Sequence, residues 1–546
     1  MTLSMKRSDT SGMDQDDRDI VRRYHQRTKH HMKRYAAGPH GLDWASQPDP
    51  FRRFTGAEHI TLPLLADGLP SLYKDIYVSQ QAPERPLNRD NIAVLLELSL
   101  GISAWKQYDG SRWALRCNPS SGNLHPTEGY VVCGDMEGLR GGVYHYQSFN
   151  HGLEQRCVCS LPISGGVLIG LSSIHWREAW KYGERAFRYC QHDTGHALAA
   201  IRYAAAALGW QVRLLSNWGD EQIARILGLD RSEDYAQAEP EDPELILWVT
   251  PEENSAAEPA ELISLSQKAK WQGKANLLSA NPQYDWPVIA EVAAATKKNA
   301  TLPEPHTNSE GDWPPLRDIP CELKATTLIR QRRSMQVCDG STAMTSEAFY
   351  RLLDTLLPRS DTVPWDAWPY PPHIHLLLFI HRVTGLEAGL YILTRDRSAE
   401  NGLRKALLRD EFDWRKPTDC PAHLPFFQLL EGDARQAARA ISCHQEIAAD
   451  GAFSLGMLAD FDRVIETGAW YYRRLFWEAG MLGHVLYLEA EAAGIQGTGI
   501  GCYFDDAMHD LFGIQDSRWQ CLYHFTVGKG VPDTRLQTLP PYKHRD

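Results

Sequence analysis

Gly183-Glu-Arg-Ala-Phe-Arg188, followed by Gly195 and an alanine run from Ala204 to Ala207 that stops at Leu208-Gly209, has a counterpart later in the chain. The counterpart is Gly468-Ala-Trp-Tyr-Tyr-Arg473, followed by Gly480 and Glu489-Ala-Glu-Ala-Ala-Gly494. Each partner lies 285 positions further on (183 and 468, 188 and 473, 195 and 480, 209 and 494). The register continues through Asp220-Glu221 with Asp505-Asp506, and Leu227-Gly228-Leu229 with Phe512-Gly513-Ile514. A fixed period over some 45 positions is the mark of a duplicated folding unit. Each copy reads as a long central helix with small residues on one face (Arg188 to Leu208 in the first), a short helix (Asp220 to Leu227) and an apolar strand (Leu245 to Val249, and Leu522 to Val527). That mixture is an α+β fold.

Working outward, residues 1–63 read as an N-terminal arm, 64–255 as a first domain, 256–322 as a linker with one helix (Val288 to Lys298), and 323–546 as a second domain. Pro303-Glu-Pro-His and Asp312-Trp-Pro-Pro give the linker its character. The 17 Trp, 22 Tyr and 15 Phe among 546 residues supply too much apolar surface for a disordered chain. Apolar runs such as Leu376 to Ile380 are too short for a bilayer, so no membrane partner is expected. The net charge of −12 argues against nucleic acid. Met1 to Asp19 lacks a secretory pattern, and the 11 cysteines lack metal-ligand or disulfide spacing, so a cytoplasmic protein without metal is expected.

Four segments carry candidate chemistry. Asn118-Pro-Ser-Ser-Gly-Asn-Leu-His-Pro-Thr-Glu128 reads as an irregular loop before a strand, rich in short hydrogen-bonding groups, suited to a planar, heteroatom-rich ligand or to an ordinary turn. Ile329-Arg-Gln-Arg-Arg-Ser-Met-Gln336 clusters donors for a phosphate, or forms a solvated basic patch. Trp180-Lys181-Tyr182 pairs an amine with a phenol whose pKa it can lower. Gly494-Ile-Gln-Gly-Thr-Gly-Ile-Gly501 permits close backbone approach to a flat ligand, without being a dinucleotide fingerprint, because it leaves a helix.

Together these segments resemble the nitroreductase family of FMN enzymes, and within it the azoline oxidases (thiazoline/oxazoline dehydrogenases) of ribosomal peptide biosynthesis. The opening Tyr24-His-Gln-Arg-Thr-Lys-His30, Leu42-Asp-Trp-Ala45 and Pro48-Asp-Pro-Phe-Arg52 resemble that branch too. The resemblance implies two tandem nitroreductase-like domains forming an intrachain pseudo-dimer. Complementary losses fit this. The first copy keeps the Pro-Ser-Ser loop but reads Tyr73-Lys-Asp-Ile-Tyr-Val-Ser-Gln-Gln-Ala-Pro where the arginines belong. The second keeps the arginines but reads Trp368-Pro-Tyr-Pro-Pro-His-Ile-His in place of the loop. One intact FMN site is expected. Arg332, Ser334 and Arg535 would bind the phosphate, with Arg333, Gln336 and Lys529 nearby. Pro119, Ser120, Ser121 and Asn123 would approach the ring, and Gly497, Thr498 and Gly499 would run along its edge. In this branch a Lys-Tyr pair acts as the catalytic base, here Lys181 and Tyr182; the second copy has Glu466-Thr467.

Three functions follow. The first is a flavin-dependent dehydrogenation of an azoline-type heterocycle in a modified peptide or small molecule, with oxygen as acceptor. The second is an NAD(P)H-dependent nitro- or quinone reductase. The third is a non-catalytic accessory protein that grips flavin or peptide. Either a monomer with an internal pseudo-dimer or a homodimer is compatible with each.

Overall fold

The computed structural model describes residues 8–77, 82–252, 258–280, 284–302, 313–316 and 320–545. Pro303-Glu-Pro-His, Asp312 and the Val78 to Gln81 part of the Tyr73 segment lie outside the described residues.

Each half is built on an antiparallel sheet. The first sheet runs Glu58–Thr61, Gly152–Val158, Gly142–Gln147, Thr127–Cys133, Val167–Ser173, Asp242–Thr250, Gln211–Leu214. The second runs Phe426–Glu431, Gly389–Leu393, Ile374–Ile380, Phe453–Asp460, Trp519–Gly528, Gln496–Ile500. Apart from Glu58–Thr61, which the arm adds, the two orders are the same. The apolar run at Leu376 to Ile380 is fully buried in a central strand, as expected of a strand covered on both faces.

The repeated unit contains one element that periodicity missed. A strand separates the long helix from the short one: Gln211–Leu214 in the first half and Gln496–Ile500 in the second. It is four or five residues long and, in the second copy, glycine-rich, so it lacks the alternating apolar signature of a strand. The short helix Asp220–Leu227 lies where the pattern put it. The 256–322 segment holds the expected helix, as Pro287–Ala295, and a second one, Pro259–Lys268.

The long helices, Ala186–Ala207 and Tyr471–Ala492, cross at their register-matched glycines. A Cβ on Gly195 would lie 2.1 Å from the Trp477 carbonyl oxygen, and one on Gly480 would lie 2.2 Å from that of His192. His192 and Trp477 are themselves a 285-residue pair, so the contact is reciprocal. The ion pairs are reciprocal too. Arg188 reaches across to Asp505 (2.9 Å), and its repeat Arg473 reaches back to Asp220, the repeat of Asp505, and to Glu244 (2.9 Å). Such a pattern is that of a two-fold interface folded into one chain. All five residues are buried, so each ion pair replaces water around both charges.

Three further elements tie the halves. The helix Ser8–Arg27 contacts both, through Tyr24 Oη donating to the Glu184 carbonyl (2.7 Å) and Arg22 to Asp462 (3.2 Å). The strand Gln537–Leu539 leaves the second half and pairs with Ile102–Tyr108 of the first. The helix Ala325–Gln331 follows a bridge between Leu72 and Lys324. Among the described residues no helix is long and apolar enough to cross a membrane.

Because backbone, not a movable side chain, occupies the space beside Gly480, Gly480→Val is expected to cost about 3 kcal/mol. The urea midpoint of the full chain measures it; a midpoint equal to wild type would refute the crossing.

Candidate functional site

Arg332 and Arg333 follow directly on the helix Ala325–Gln331. Arg332 is buried and donates from Nη2 to the Arg116 carbonyl of the first half (3.1 Å); its guanidinium lies over the Tyr487 ring at 4.9 Å, and its Nε has no partner among the described residues. Arg333 donates to the carbonyls of Arg330 (2.7 Å) and Arg332 (2.6 Å) and to Ser103. Burial, and then the charge of Arg332, push the Arg333 guanidinium down to about 10. Two neighbouring cations partly withdrawn from water form a site that an anion would stabilise.

The next residues run along the glycine strand. Ser334 bridges to Gly497, Met335 N–H donates to the Gly497 carbonyl (3.4 Å), and Thr498 Oγ1 donates to Met335 O (2.7 Å). Ser334 Oγ and Tyr487 Oη are 2.7 Å apart, and Tyr487 Oη accepts from Gly499 N–H (2.9 Å). Glycine is required here because a Cβ at Gly499 would fall 1.9 Å from Tyr523 Oη and one at Gly497 would fall 2.6 Å from the Phe525 ring. Lys529 is exposed and donates to the Gly494 carbonyl (3.1 Å). Gln336 is exposed on the same segment. Arg535 lies apart: it forks onto Asp533 (2.8 and 2.9 Å), exposed, with its guanidinium 5.6 Å from the Tyr108 ring.

The loop after Arg116 comes from the first half. Pro119 is buried, and Ser121 donates from its N–H and Oγ (both 3.0 Å) to Asp193 on the first long helix. Ser120 Oγ accepts from His125 N–H (2.8 Å), and Asn123 Nδ2 donates to Ala114 O (2.9 Å). Gly122 and Asn123 both take positive φ (58° and 60°), the conformation that the Gly-Asn pair admits. Burial pushes the Asp193 carboxyl up to about 7, against the hydrogen bonds from Ser120 and Ser121.

Lys181 and Tyr182 end the helix His175–Tyr182. The site of a Cβ on Gly122 would be 2.5 Å from Tyr182 Oη, so the phenol touches the loop. The Tyr182 ring lies 4.5 Å from that of Tyr189, whose hydroxyl donates to Gly501 O (3.0 Å). Lys181 Nζ is 5.3 Å from the Tyr182 ring centre. The expected lowering of the phenol pKa is reversed: burial, then nearby Glu178, raise Tyr182 well above its ordinary value. Glu178, one turn earlier, is fully buried with neither carboxylate oxygen partnered among the described residues, and burial raises it as well.

A buried charge network aligns loop and helix. Arg177 donates to the His125 carbonyl (2.7 Å) and pairs with Glu128; His145 bridges Glu128 (3.1 Å) and Glu154 (2.9 Å). Burial works against the His145 charge, but the two carboxylates carry it up to about 9. Asp193, Tyr189, Tyr487, Tyr523 and Arg177 were not singled out from the sequence as site residues, although Arg188 and Gly195 flank Asp193 in the repeat register. That register pairs Asp193 with Glu478. Glu478 does the equivalent work, accepting from the backbone N–H of His373 (3.0 Å) and pairing with Arg395.

The equivalent place on the other side of the two-fold is filled. Trp210, Trp365, Trp368 and Tyr370 are buried there. Arg202, the repeat of Tyr487, is clamped by Asp366 (2.8 Å). Tyr73 and Tyr77 both donate to Glu489 (2.8 Å each).

Residues 429–529 match the nitroreductase family. The trifolitoxin-processing protein TfxB of Rhizobium leguminosarum bv. trifolii is 33% identical over 130 residues, which is 20% of this chain and 35% of the relative. A Methanocaldococcus jannaschii protein assigned as a nitroreductase is 29% identical over 126 residues, 20% of this chain and 62% of the relative. The chain therefore spans under two thirds of either relative's length. A crystal structure from Anabaena variabilis, assigned as a nitroreductase, superposes with a TM-score of 0.68 at 22% identity, covering 94% of this chain and 99% of that one. The fold of both halves together is thus shared with that structure.

Asp193 makes a pH-dependent contribution. Its folded pKa of about 7 exceeds the ordinary 3.8, so the folded state holds a proton that the unfolded state has lost, and stability falls as pH rises from about 4 through 7. Relative to Asp193→Asn, wild type is expected to lose up to about 4 kcal/mol across that window. Urea midpoints of both proteins at pH 5 and pH 8 test this; parallel midpoints would refute it.

Proposed function

We propose that this chain, which carries a nitroreductase-family domain at residues 429–529, is an FMN-dependent oxidoreductase whose halves act as a pseudo-dimer with one working site. The observation that carries the reading is the meeting of Arg332 and Arg333 of one half with the Arg116 carbonyl and Ser103 of the other, beside the glycine strand, while the related place is filled by tryptophans.

The donor set fits a flavin mononucleotide. The unpartnered Nε of buried Arg332, the depressed Arg333 and the Ser334 hydroxyl suit a phosphate dianion. The Gly497–Gly499 backbone suits a flat ring system. Arg332, Arg333 and Ser334 would hold the phosphate; Arg535, engaged with Asp533, is left out of that set, and Lys529 and Gln336 stand at its rim. Pro119, Ser120, Ser121 and Asn123 would border the ring from the first half. FMN, when bound, supplies a two-electron acceptor.

The substrate we infer is an azoline-type heterocycle of a modified peptide. The similarity to a trifolitoxin-processing protein and the Lys181-Tyr182 pair support it. Dehydrogenating such a ring removes a hydride and a proton from neighbouring carbons. Lys181 and Tyr182 would take the proton. The raised pKa of Tyr182 keeps its phenol protonated in the substrate-free chain, so the phenolate fraction grows as pH rises. The contact with Gly122 would keep water from the phenol.

Purified protein is expected to carry one FMN per chain by absorbance, and Arg332→Ala to release it; two per chain, or retention by the variant, would overturn the single-site reading. Tyr182→Phe and Lys181→Leu are expected to keep the flavin and lose azoline turnover by at least about a hundredfold. The wild-type rate should rise with pH across the neutral and alkaline range. Full activity in both variants would remove the pair from the mechanism, and anaerobic flavin bleaching by NADPH would favour a reductase.

A further inference from the structure

Cys443 and Cys502 stand 59 residues apart in the chain, yet their sulfurs are 2.6 Å apart. Both are free thiols and both are only partly buried, whereas eight of the 11 cysteines are buried. The two segments are fastened on either side of the sulfurs. Phe504 N–H donates to the Ile441 carbonyl (2.8 Å), and Gln445 Nε2 donates to the Cys502 and Ser442 carbonyls (3.0 and 2.9 Å). Cys443 and His444 both adopt positive φ (52° and 61°). Two successive non-glycine residues in that conformation cost energy, so the surrounding contacts hold the thiol in this position.

The two thiols are electrostatically unequal. The contact between the two sulfurs lowers Cys502 and raises Cys443; His30 and the Arg185 guanidinium add to the lowering, against burial. His30 Nδ1 accepts from Ala36 N–H (2.9 Å), which leaves the proton on Nε2, free to face the Cys502 sulfur. Of the other groups around the pair, Asp505 is committed to Arg185 and Arg188, and Tyr35 meets His30 edge-on and Phe504 at a tilt and hydrogen-bonds Cys443. A thiol with a lowered pKa, set beside a second thiol and two cationic or donor groups, is the arrangement of an exchanging dithiol.

We propose that Cys443 and Cys502 form a redox couple that exchanges with small-molecule disulfides, with Cys502 as the attacking sulfur and Cys443 as the resolving one. The Cys502 thiolate attacks one sulfur of a disulfide RSSR; the S–S bond breaks, RS⁻ leaves, and a Cys502–SR mixed disulfide forms. Cys443, losing its proton, attacks the Cys502 sulfur and expels the second RS⁻. Two protein thiols are oxidised to one disulfide and RSSR is reduced to two RSH. The couple adjoins the candidate site, because Gly501, one residue before Cys502, accepts from Tyr189 and Arg185. The inference does not depend on the flavin reading.

The test uses the full chain, reduced, desalted and incubated with oxidised glutathione. Non-reducing peptide mapping should give a Cys443–Cys502 cross-linked peptide, with the loss of two alkylatable thiols per chain, restored by dithiothreitol. Cys443→Ser should arrest as a glutathione adduct on Cys502, and Cys502→Ser should give neither product. Wild type that keeps both thiols alkylatable, or that accumulates the adduct without the cross-link, would overturn the proposal; so would a Cys443→Ser chain, folded by circular dichroism, that takes no adduct.

Discussion

Two glycines meeting on the pseudo-two-fold set the geometry of this molecule. At Gly195 and Gly480 the long helices come so close that a single added carbon on either would strike the backbone of the other. That proximity brings Arg188 and Arg473 within reach of carboxylates on the opposite half. It also links the end of the glycine strand of one half, at Gly501, to Tyr189 of the other, which packs on Tyr182 against the Pro-Ser-Ser loop. A wider crossing would open the interface where Arg332 meets the Arg116 carbonyl.

The two-fold is kept in the scaffold and abandoned in the sites. The same register positions carry Asp193 and Glu478, and both fasten a loop by its backbone N–H groups. One loop is small and polar, with serine and asparagine around positive-φ positions. The other is packed with Trp365, Trp368 and Tyr370. On the filled side Arg202 is matched to Asp366. On the other, Arg332 and Arg333 lean on carbonyls, at a cost in desolvation, with Glu491 as the nearby opposite charge. Stability is gained on one side, and a basic site with a spare donor is kept on the other.

The strand missed between the helices, and the direction of the Tyr182 shift, have one cause. Periodicity reads side chains against a single imagined surface. The Gln496–Ile500 strand is held by backbone pairing to Trp519–Gly528 and by the 334–335 segment, which leaves little pattern in a run of glycines. The phenol shift depends on Glu178 and on the depth of burial, and neither is visible in the dipeptide Lys181-Tyr182. Arg535, offered for the phosphate by the family resemblance, is engaged by Asp533, two residues before it.

The sequence by itself determined the duplication and the α+β class, because those follow from residue identity at a constant spacing of 285; the family resemblance told which half kept the arginines and which kept the loop. Tertiary structure alone decided which groups share a site. Arg332 and Arg116 are distant in sequence and belong to different halves, as do Arg188 and Asp505, and Cys443 meets Cys502 across 59 residues. Such meetings depend on how closely two helices can approach. The two glycines signal that distance, but only the folded chain sets it.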